Sequence, residues 1–236
     1  MDKDFRKIQK GLRSITAPDP IQDNQKLSSV VFPIFKDSEG RLSLILTKRS
    51  EKLRNHAGQI SFPGGVYSTL DKNLNETALR EWEEETGESR ESIEVLGKYT
   101  EIKTRTGYHI VPFVGIYTGS FQFHPNEEVD FLFTMNFSEF QNIPFYMTEY
   151  MTNPQKLIYY FHYDAGLIWG ATCEMIVRFL RDFLGFDRIP ENVCPNIQSP
   201  PFFIPPGMKS SPDPAKKYNI YFRNPSAPKN KNLDSC

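Results

Sequence analysis

Residues 60–87 read ISFPGGVYSTLDKNLNETALREWEEETG, and this stretch decides the fold. An apolar segment, a proline and two adjacent glycines come first, and a polar segment rich in glutamate follows. Asn73 with Glu76 three residues later is typical of a helix start, and Gly87 is typical of a helix end. The pattern therefore predicts a helix over Leu74–Thr86.

Three carboxylates share one face of this predicted helix. Glu81, Glu84 and Glu85 stand at positions i, i+3 and i+4, which are neighbours on a helix surface. They repel one another unless a cation lies between them, and Arg80 can pair with Glu84 but cannot neutralise all three. Mg²⁺ suits the set, because it binds oxygen ligands and keeps waters and substrate phosphates around it. The alternative is a solvated, glutamate-rich surface, but the upstream glycines favour a metal and phosphate site, since their backbone can approach a ligand closely.

The composition is that of a globular protein. The 236 residues carry a net charge of −1, and 39% of them are hydrophobic, so a wholly disordered chain is excluded. No apolar run approaches the roughly 20 residues that span a bilayer, and no secretory signal is visible, so we expect no membrane association. The balanced charge argues against nucleic acid as the main partner. Three cysteines without metal-ligand spacing suit a reducing compartment, and we expect a cytoplasmic protein.

Charge and proline are distributed unevenly along the chain. Residues 41–56 hold five basic side chains and one acid, whereas residues 71–94 hold nine acids and three bases. Ten of the 18 prolines lie in residues 185–236, which predicts an extended tail whose two aromatic patches either stay free or pack on the core. Many short strands, a short amphipathic helix near the N-terminus and a helix over Ile168–Leu184 predict an α/β or α+β fold with a mixed sheet.

The glutamate-rich stretch resembles the Nudix box, G-x5-E-x7-R-E-U-x-E-E-x-G-U, in which U is aliphatic. The matching residues are Gly65, Arg80, Glu81, Glu84, Glu85 and Gly87. Asp71 stands in place of the first glutamate, the spacing from it to Arg80 is one residue longer, and Glu88 replaces the last aliphatic residue.

The preceding segment, ILTKRSEKLRNHAGQISFPGG at residues 45–65, resembles the signature of the coenzyme A pyrophosphatase branch of this family. That signature is L-L-T-x-R-[SA]-x3-R-x3-G-x3-F-P-G-G. The residues that match it are Leu46, Thr47, Arg49, Ser50, Arg54, Gly58, Phe62, Pro63, Gly64 and Gly65. The branch also commonly has aspartate at the Asp71 position and the longer spacing, so both departures from the general box support the branch.

The resemblance implies a three-layer α/β/α sandwich with a mixed sheet over residues 28–184. A helical N-terminal extension at 1–27 and a proline-rich tail at 185–236 would flank it. The implied reaction is hydrolysis of the pyrophosphate of coenzyme A, or of its acyl derivatives, with Mg²⁺ or Mn²⁺. The products would be 4′-phosphopantetheine, or its acyl form, and adenosine 3′,5′-bisphosphate. A homodimer is an assembly that the sequence leaves open.

The resemblance also implies roles for residues of the box. Glu81, Glu84 and Glu85 are the expected metal ligands, and Arg80 is expected to orient them. A general base must reach the attacking water, and Glu81 and Glu128 are both candidates, with Glu127 a weaker one.

A second set of residues is expected to bind the substrate, namely Arg49, Arg54, His56, Gly64 and Gly65. Arginine suits phosphate groups because its planar fork donates two parallel hydrogen bonds. The alternative for Arg49 or Arg54 is a salt bridge with the acidic helix. Two other functions remain open: a Nudix hydrolase of another substrate such as ADP-ribose or NADH, and a non-catalytic nucleotide-binding protein.

Overall fold

The computed structural model describes residues 2–13, 26–104, 106–150, 153–192 and 220–223. These residues divide into two compact units. The described part of the first unit lies within residues 2–137 and includes 220–223, and that of the second lies within 138–192.

The helices and strands follow one another in this order: α1 Lys3–Leu12, β1 Lys26–Lys36, β2 Leu42–Arg49, β3 Ile60–Ser61, β4 Gly64–Val66, α2 Leu74–Thr86, β5 Ile93–Lys98, β6 Ile102–Lys103, β7 Tyr108–Tyr117, β8 Val129–Asn136, β9 Phe145–Tyr150, β10 Asn153–Tyr163, β11 Gly166–Trp169, α3 Gly170–Leu184, β12 Glu191–Asn192 and β13 Ile220–Arg223. Short 3₁₀ helices lie at Arg90–Ser92 and Phe137–Gln141. Among the described helices, none is both long and apolar enough to cross a bilayer.

The first unit is built on a mixed sheet. Its described strands lie in the order β13-β8-β2-β1-β7-β5, while β3, β4 and β6 pair with β2, β1 and β7. Strands β1 and β7 run parallel with Val31 opposite Phe113, and the neighbouring pairs are antiparallel. Strand β1 is buried from Ser28 to Phe35, as expected for a central strand covered on both faces. The predicted α/β class with a mixed sheet is confirmed.

Helix α2 has the bounds that the sequence predicts. The Asn73 side chain accepts a hydrogen bond from the Glu76 backbone N–H at 3.0 Å, and Gly87 ends the helix in the left-handed conformation. The inner face of the helix places Trp82 in the core, fully buried, where its indole N–H donates to the Ser92 hydroxyl at 3.1 Å. Of the glutamates on the remaining faces, Glu84 is exposed, Glu81 is partly buried and Glu85 is buried.

Helix α1 lies in the predicted N-terminal extension. It buries Phe5, Ile8 and Leu12 and presents charged residues elsewhere, which is the amphipathic pattern the sequence predicts.

In the second unit, the predicted start of the last helix is wrong by two residues. Its described strands form a sheet in the order β11-β10-β9-β12. The sequence predicts a helix from Ile168, but α3 begins at Gly170, because Ile168 and Trp169 pair with β10 as the end of a strand. Cys173 on α3 is fully buried, and burial raises the pKa of its thiol.

The proline-rich tail is partly described. Glu191–Asn192 pairs in parallel with β9, and Ile220–Arg223 pairs antiparallel with β8. The backbone of the described residues of the aromatic patch at 218–222 therefore joins the mixed sheet next to β8. The other aromatic patch, at 200–206, lies outside the described residues.

Candidate active site

The Glu85 carboxylate is the buried centre of the site. Only 3% of this residue is exposed. One carboxylate oxygen accepts a hydrogen bond from Arg49 Nη1 at 3.2 Å, and the other accepts from the Gly64 backbone N–H at 3.2 Å. Arg49 and Gly64 are the two ends of residues 49–64, so both ends of this segment are fixed to the same side chain of α2.

Arg49 also reaches a second carboxylate. Its Nη2 lies 3.1 Å from Glu128 Oε2, just before β8. The Glu128 backbone carbonyl accepts a hydrogen bond from the Ser50 N–H at 2.8 Å. This bond joins the end of β2 to the start of β8. The structure thus brings Arg49, Glu85 and Glu128 together. It shows the salt bridge to the acidic helix that was one of the two interpretations of Arg49.

A second cluster of charges surrounds Arg80. Its Nη1 donates to Glu81 Oε1 at 2.8 Å and to Glu84 Oε2 at 3.1 Å. Its Nε and Nη2 donate to the two oxygens of Asp71, at 3.0 and 3.1 Å. One guanidinium therefore contacts three carboxylates, two of which belong to the predicted ligand set.

Asp71 is a residue whose role the sequence did not reveal. Its carboxylate is buried, and it also accepts hydrogen bonds from the Thr77 hydroxyl at 2.9 Å and the Ser68 N–H at 3.3 Å. The Arg80 hydrogen bond lowers the pKa of the Asp71 carboxyl to about 2, so the group is ionised at neutral pH. Asp71 holds Arg80 in place, and only its position in the box marked it.

The glycine pair lies against the carboxylates. A side-chain carbon at Gly65 would collide with the Glu81 carboxylate, and one at Gly64 would collide with the backbone of β1. Glycine is required at Gly64, because its neighbours there are fixed backbone atoms, whereas a side chain at Gly65 would force the Glu81 carboxylate to move. The Gly65 backbone therefore lies next to Glu81, one of the expected metal ligands.

Burial makes two of the glutamates hard to ionise. Burial raises the pKa of Glu85 to about 8, even though Arg49 acts in the opposite direction. Burial also raises the pKa of Glu81, against the effect of Arg80. Glu84, in contrast, is exposed to solvent.

The donor set has the chemistry of a Mg²⁺ or Mn²⁺ site. Carboxylate oxygens and a backbone carbonyl are the ligands these ions take, and buried carboxylates need a cation to remain charged. Within the described ranges, no three Asp, Glu, His or Cys side chains are already arranged around a common point. The guanidiniums of Arg49 and Arg80 hold the carboxylates instead.

The loop between β2 and β3 carries the remaining predicted site residues. Arg54 and His56 are both exposed in it. His56 has a positive φ of 57°, and its Nδ1 lies 3.0 Å from Gln59 Oε1. Neither side chain forms a hydrogen bond or ion pair with the glutamates in the described part of the chain. Both lie within residues 49–64, and the structure does not bring their side chains to the carboxylates.

Glu88 explains a departure from the general box. Its carboxylate accepts hydrogen bonds from the Tyr117 hydroxyl at 2.7 Å and the Gln122 N–H at 3.0 Å. An aliphatic residue could not make these contacts, so this chain fixes the turn after β7 with a carboxylate. Glu127, the weaker candidate base, is exposed in the turn before β8.

The mixed sheet and the carboxylate helix with its arginine partners define an α/β protein with a hydrolase-type site. Residues 26–154 match the NUDIX domain family. The chain therefore belongs to the Nudix family, whose hydrolases act on nucleoside diphosphate derivatives, generally with divalent metal ions.

Two bacterial relatives, each named "Uncharacterized Nudix hydrolase NudL", are similar over most of their length. The one from Photorhabdus laumondii is 35% identical over 162 residues, which are 67% of this chain and 86% of the relative. The one from Pectobacterium atrosepticum is 36% identical over 155 residues, 64% of this chain and 80% of the relative. Among solved structures, a MutT/nudix family protein from Enterococcus faecalis covers 76% of this chain and 69% of its own, with 15% identity and a TM-score of 0.47. The family assignment rests on the sequence matches.

Proposed function

We propose that this Nudix hydrolase cleaves the pyrophosphate of coenzyme A or of its acyl derivatives. The products are 4′-phosphopantetheine, or its acyl form, and adenosine 3′,5′-bisphosphate. The observation that carries the proposal is the attachment of both ends of residues 49–64 to Glu85. The segment that resembles the coenzyme A branch is thereby joined to the carboxylate helix, so substrate recognition and hydrolysis can occur side by side.

Glu81, Glu84 and Glu85 would hold the divalent cation. Bound Mg²⁺ or Mn²⁺ neutralises pyrophosphate oxygens and lowers the pKa of a coordinated water. Arg80 orients two of these glutamates, because its guanidinium is itself fixed by Asp71.

Water must lose a proton as it attacks phosphorus, and two carboxylates are candidates to accept it. Glu81 is half-buried beside the Gly65 backbone, and burial raises its pKa, which makes it a stronger base. Glu128 lies across the site, with its side chain 53% exposed and paired to Arg49. Substitution of each in turn distinguishes the two.

The substrate carries negative charge at its pyrophosphate and at its 3′-phosphate. Arg49 lies beside the carboxylates and suits the pyrophosphate, whereas Arg54 is exposed in the adjoining loop and suits the more distant 3′-phosphate. His56 lies in the same loop, and the Gly64–Gly65 backbone lines the site beside Glu81 and Glu85.

A panel of substrates tests the proposal. Purified protein with Mg²⁺ is incubated with coenzyme A, an acyl derivative, NADH and ADP-ribose, and the products are identified by mass. Preferential release of adenosine 3′,5′-bisphosphate from coenzyme A supports the proposal. Faster cleavage of ADP-ribose or NADH would assign another Nudix substrate, and binding without turnover would indicate a non-catalytic protein. The cytoplasmic location and the homodimer stay predictions.

A further inference from the structure

All three nitrogens of the Arg49 guanidinium lie within the site. Nη1 contacts Glu85 at 3.2 Å and Nη2 contacts Glu128 at 3.1 Å. Nε is buried and has no hydrogen-bond partner in the described part of the chain. The side chain is thus committed to two carboxylates while one of its donors is left unsatisfied.

Both oxygens of Glu85 are already occupied by donors. Oε1 accepts from Arg49 and Oε2 accepts from the Gly64 backbone N–H. The Gly64 donor is fixed, because that residue pairs with Val30 as part of β4. A cation that binds the Glu85 carboxylate meets the positive charge of Arg49 beside Oε1, and the arginine side chain is the donor that can move away.

We propose that Arg49 is a built-in counter-cation that competes with the divalent metal for Glu85 and turns to the substrate once the metal has bound. Before the metal binds, Arg49 neutralises a buried carboxylate that would otherwise be left unpaired. Afterwards, its freed guanidinium pairs with an anionic oxygen of the pyrophosphate. Arg49 thereby couples metal binding to substrate binding, and the substrate half of this inference rests on the proposed function.

The proposal predicts that removing Arg49 strengthens metal binding. If Arg49 only positioned Glu85, its removal would weaken metal binding. If Arg49 competes with the metal, the Arg49→Met variant binds Mn²⁺ more tightly than the wild type in the absence of substrate. We expect a gain on the order of tenfold, because one positive charge a few ångströms from the ion is removed.

The test is a calorimetric titration of Mn²⁺ into substrate-free protein. Arg41→Met is the matched control, since Arg41 is exposed and pairs with Asp37 and Glu39 away from the carboxylate helix. Tighter binding by Arg49→Met and unchanged binding by Arg41→Met support the proposal. Equal or weaker binding by Arg49→Met overturns it. Because no substrate is present, this result is independent of whether coenzyme A is the substrate.

Two further measurements keep the test decisive. If Arg49→Met does not fold, as judged by thermal unfolding, Arg49→Gln replaces it, because glutamine removes the charge and keeps a hydrogen-bond donor. Arg49→Gln should also bind Mn²⁺ more tightly than the wild type, and no gain contradicts the proposal. Methylenediphosphonate, a pyrophosphate analogue that is not hydrolysed, tests the coupling between metal and substrate binding. It should tighten Mn²⁺ binding more in the wild type than in the variant that lacks Arg49. Equal tightening in both would overturn the coupling.

Discussion

The Asp71 carboxylate accepts two parallel hydrogen bonds from the guanidinium of Arg80. Arg80 Nε donates to Asp71 Oδ1 at 3.0 Å, and Arg80 Nη2 donates to Asp71 Oδ2 at 3.1 Å. The remaining donor nitrogen of Arg80 reaches Glu81 and Glu84. A carboxylate before α2 therefore determines where two carboxylates on α2 lie. Bidentate pairs of this kind fix orientation as well as charge.

Asp71→Asn should destabilise the protein by about 1–3 kcal/mol, because a buried charge-assisted pair is lost. The variant should also turn over substrate more slowly, since Arg80 no longer holds Glu81 and Glu84. Denaturant unfolding gives the change in free energy. Asp37→Asn is the control, because it breaks a more exposed pair with Arg41. Equal effects of the two substitutions would contradict the role of Asp71.

The stability that Asp71 contributes should depend on pH. The pKa of its carboxyl is lowered to about 2 in the folded protein, below the ordinary value of 3.8. The contribution is therefore present above about pH 4 and is lost as the pH falls towards about 2. Over this range, the difference in the free energy of unfolding between the wild type and Asp71→Asn should shrink as the pH falls. A difference that stays constant with pH would show that the pair does not act through the carboxylate charge.

Glu85→Gln should lower metal-dependent turnover by roughly a hundredfold or more while the protein stays folded, because a buried charged ligand is lost and the shape is kept. Steady-state assays and thermal unfolding measure the two effects. Glu83→Gln removes a charge from the same helix, but Glu83 pairs with Arg90 outside the site. Turnover should be near normal in Glu83→Gln, and near-normal turnover in Glu85→Gln would remove Glu85 from the metal site.

The general base is identified by comparing Glu81→Gln with Glu128→Gln. A base variant loses turnover and also the acidic limb of its pH–rate profile, whereas a variant that affects only binding mainly raises KM. We expect this signature in one of the two variants. If both keep the wild-type profile, neither carboxylate is the base.

Much of the fold follows from local sequence patterns. Helix α2 has the predicted bounds because Asn73 and Gly87 act as local start and stop signals. The start of α3 was predicted two residues early, because its apolar pattern continues into Ile168 and Trp169, which long-range strand pairing assigns to β11. Such pairing depends on tertiary structure and leaves no local signal.

The sequence motif predicts the residues of the candidate site but not the contacts between them. The motif located the glutamates of α2 and Arg80, and a salt bridge from Arg49 was one of two stated interpretations. The contact between Gly64 and Glu85 joins residues 21 positions apart, and the one between Arg49 and Glu128 joins residues 79 positions apart. Their convergence depends on the pairing of β1, β2, β4 and β8, which only the structure shows.

The most direct test of the account compares coenzyme A with dephospho-coenzyme A in the wild type and in Arg54→Met. If Arg54 binds the 3′-phosphate, the wild type cleaves coenzyme A with the higher kcat/KM and Arg54→Met loses most of this preference. Lys72→Met, an exposed substitution at the start of the acidic segment, is the control and should keep it. Equal kcat/KM for the two substrates in the wild type, or no cleavage of coenzyme A, would contradict the account.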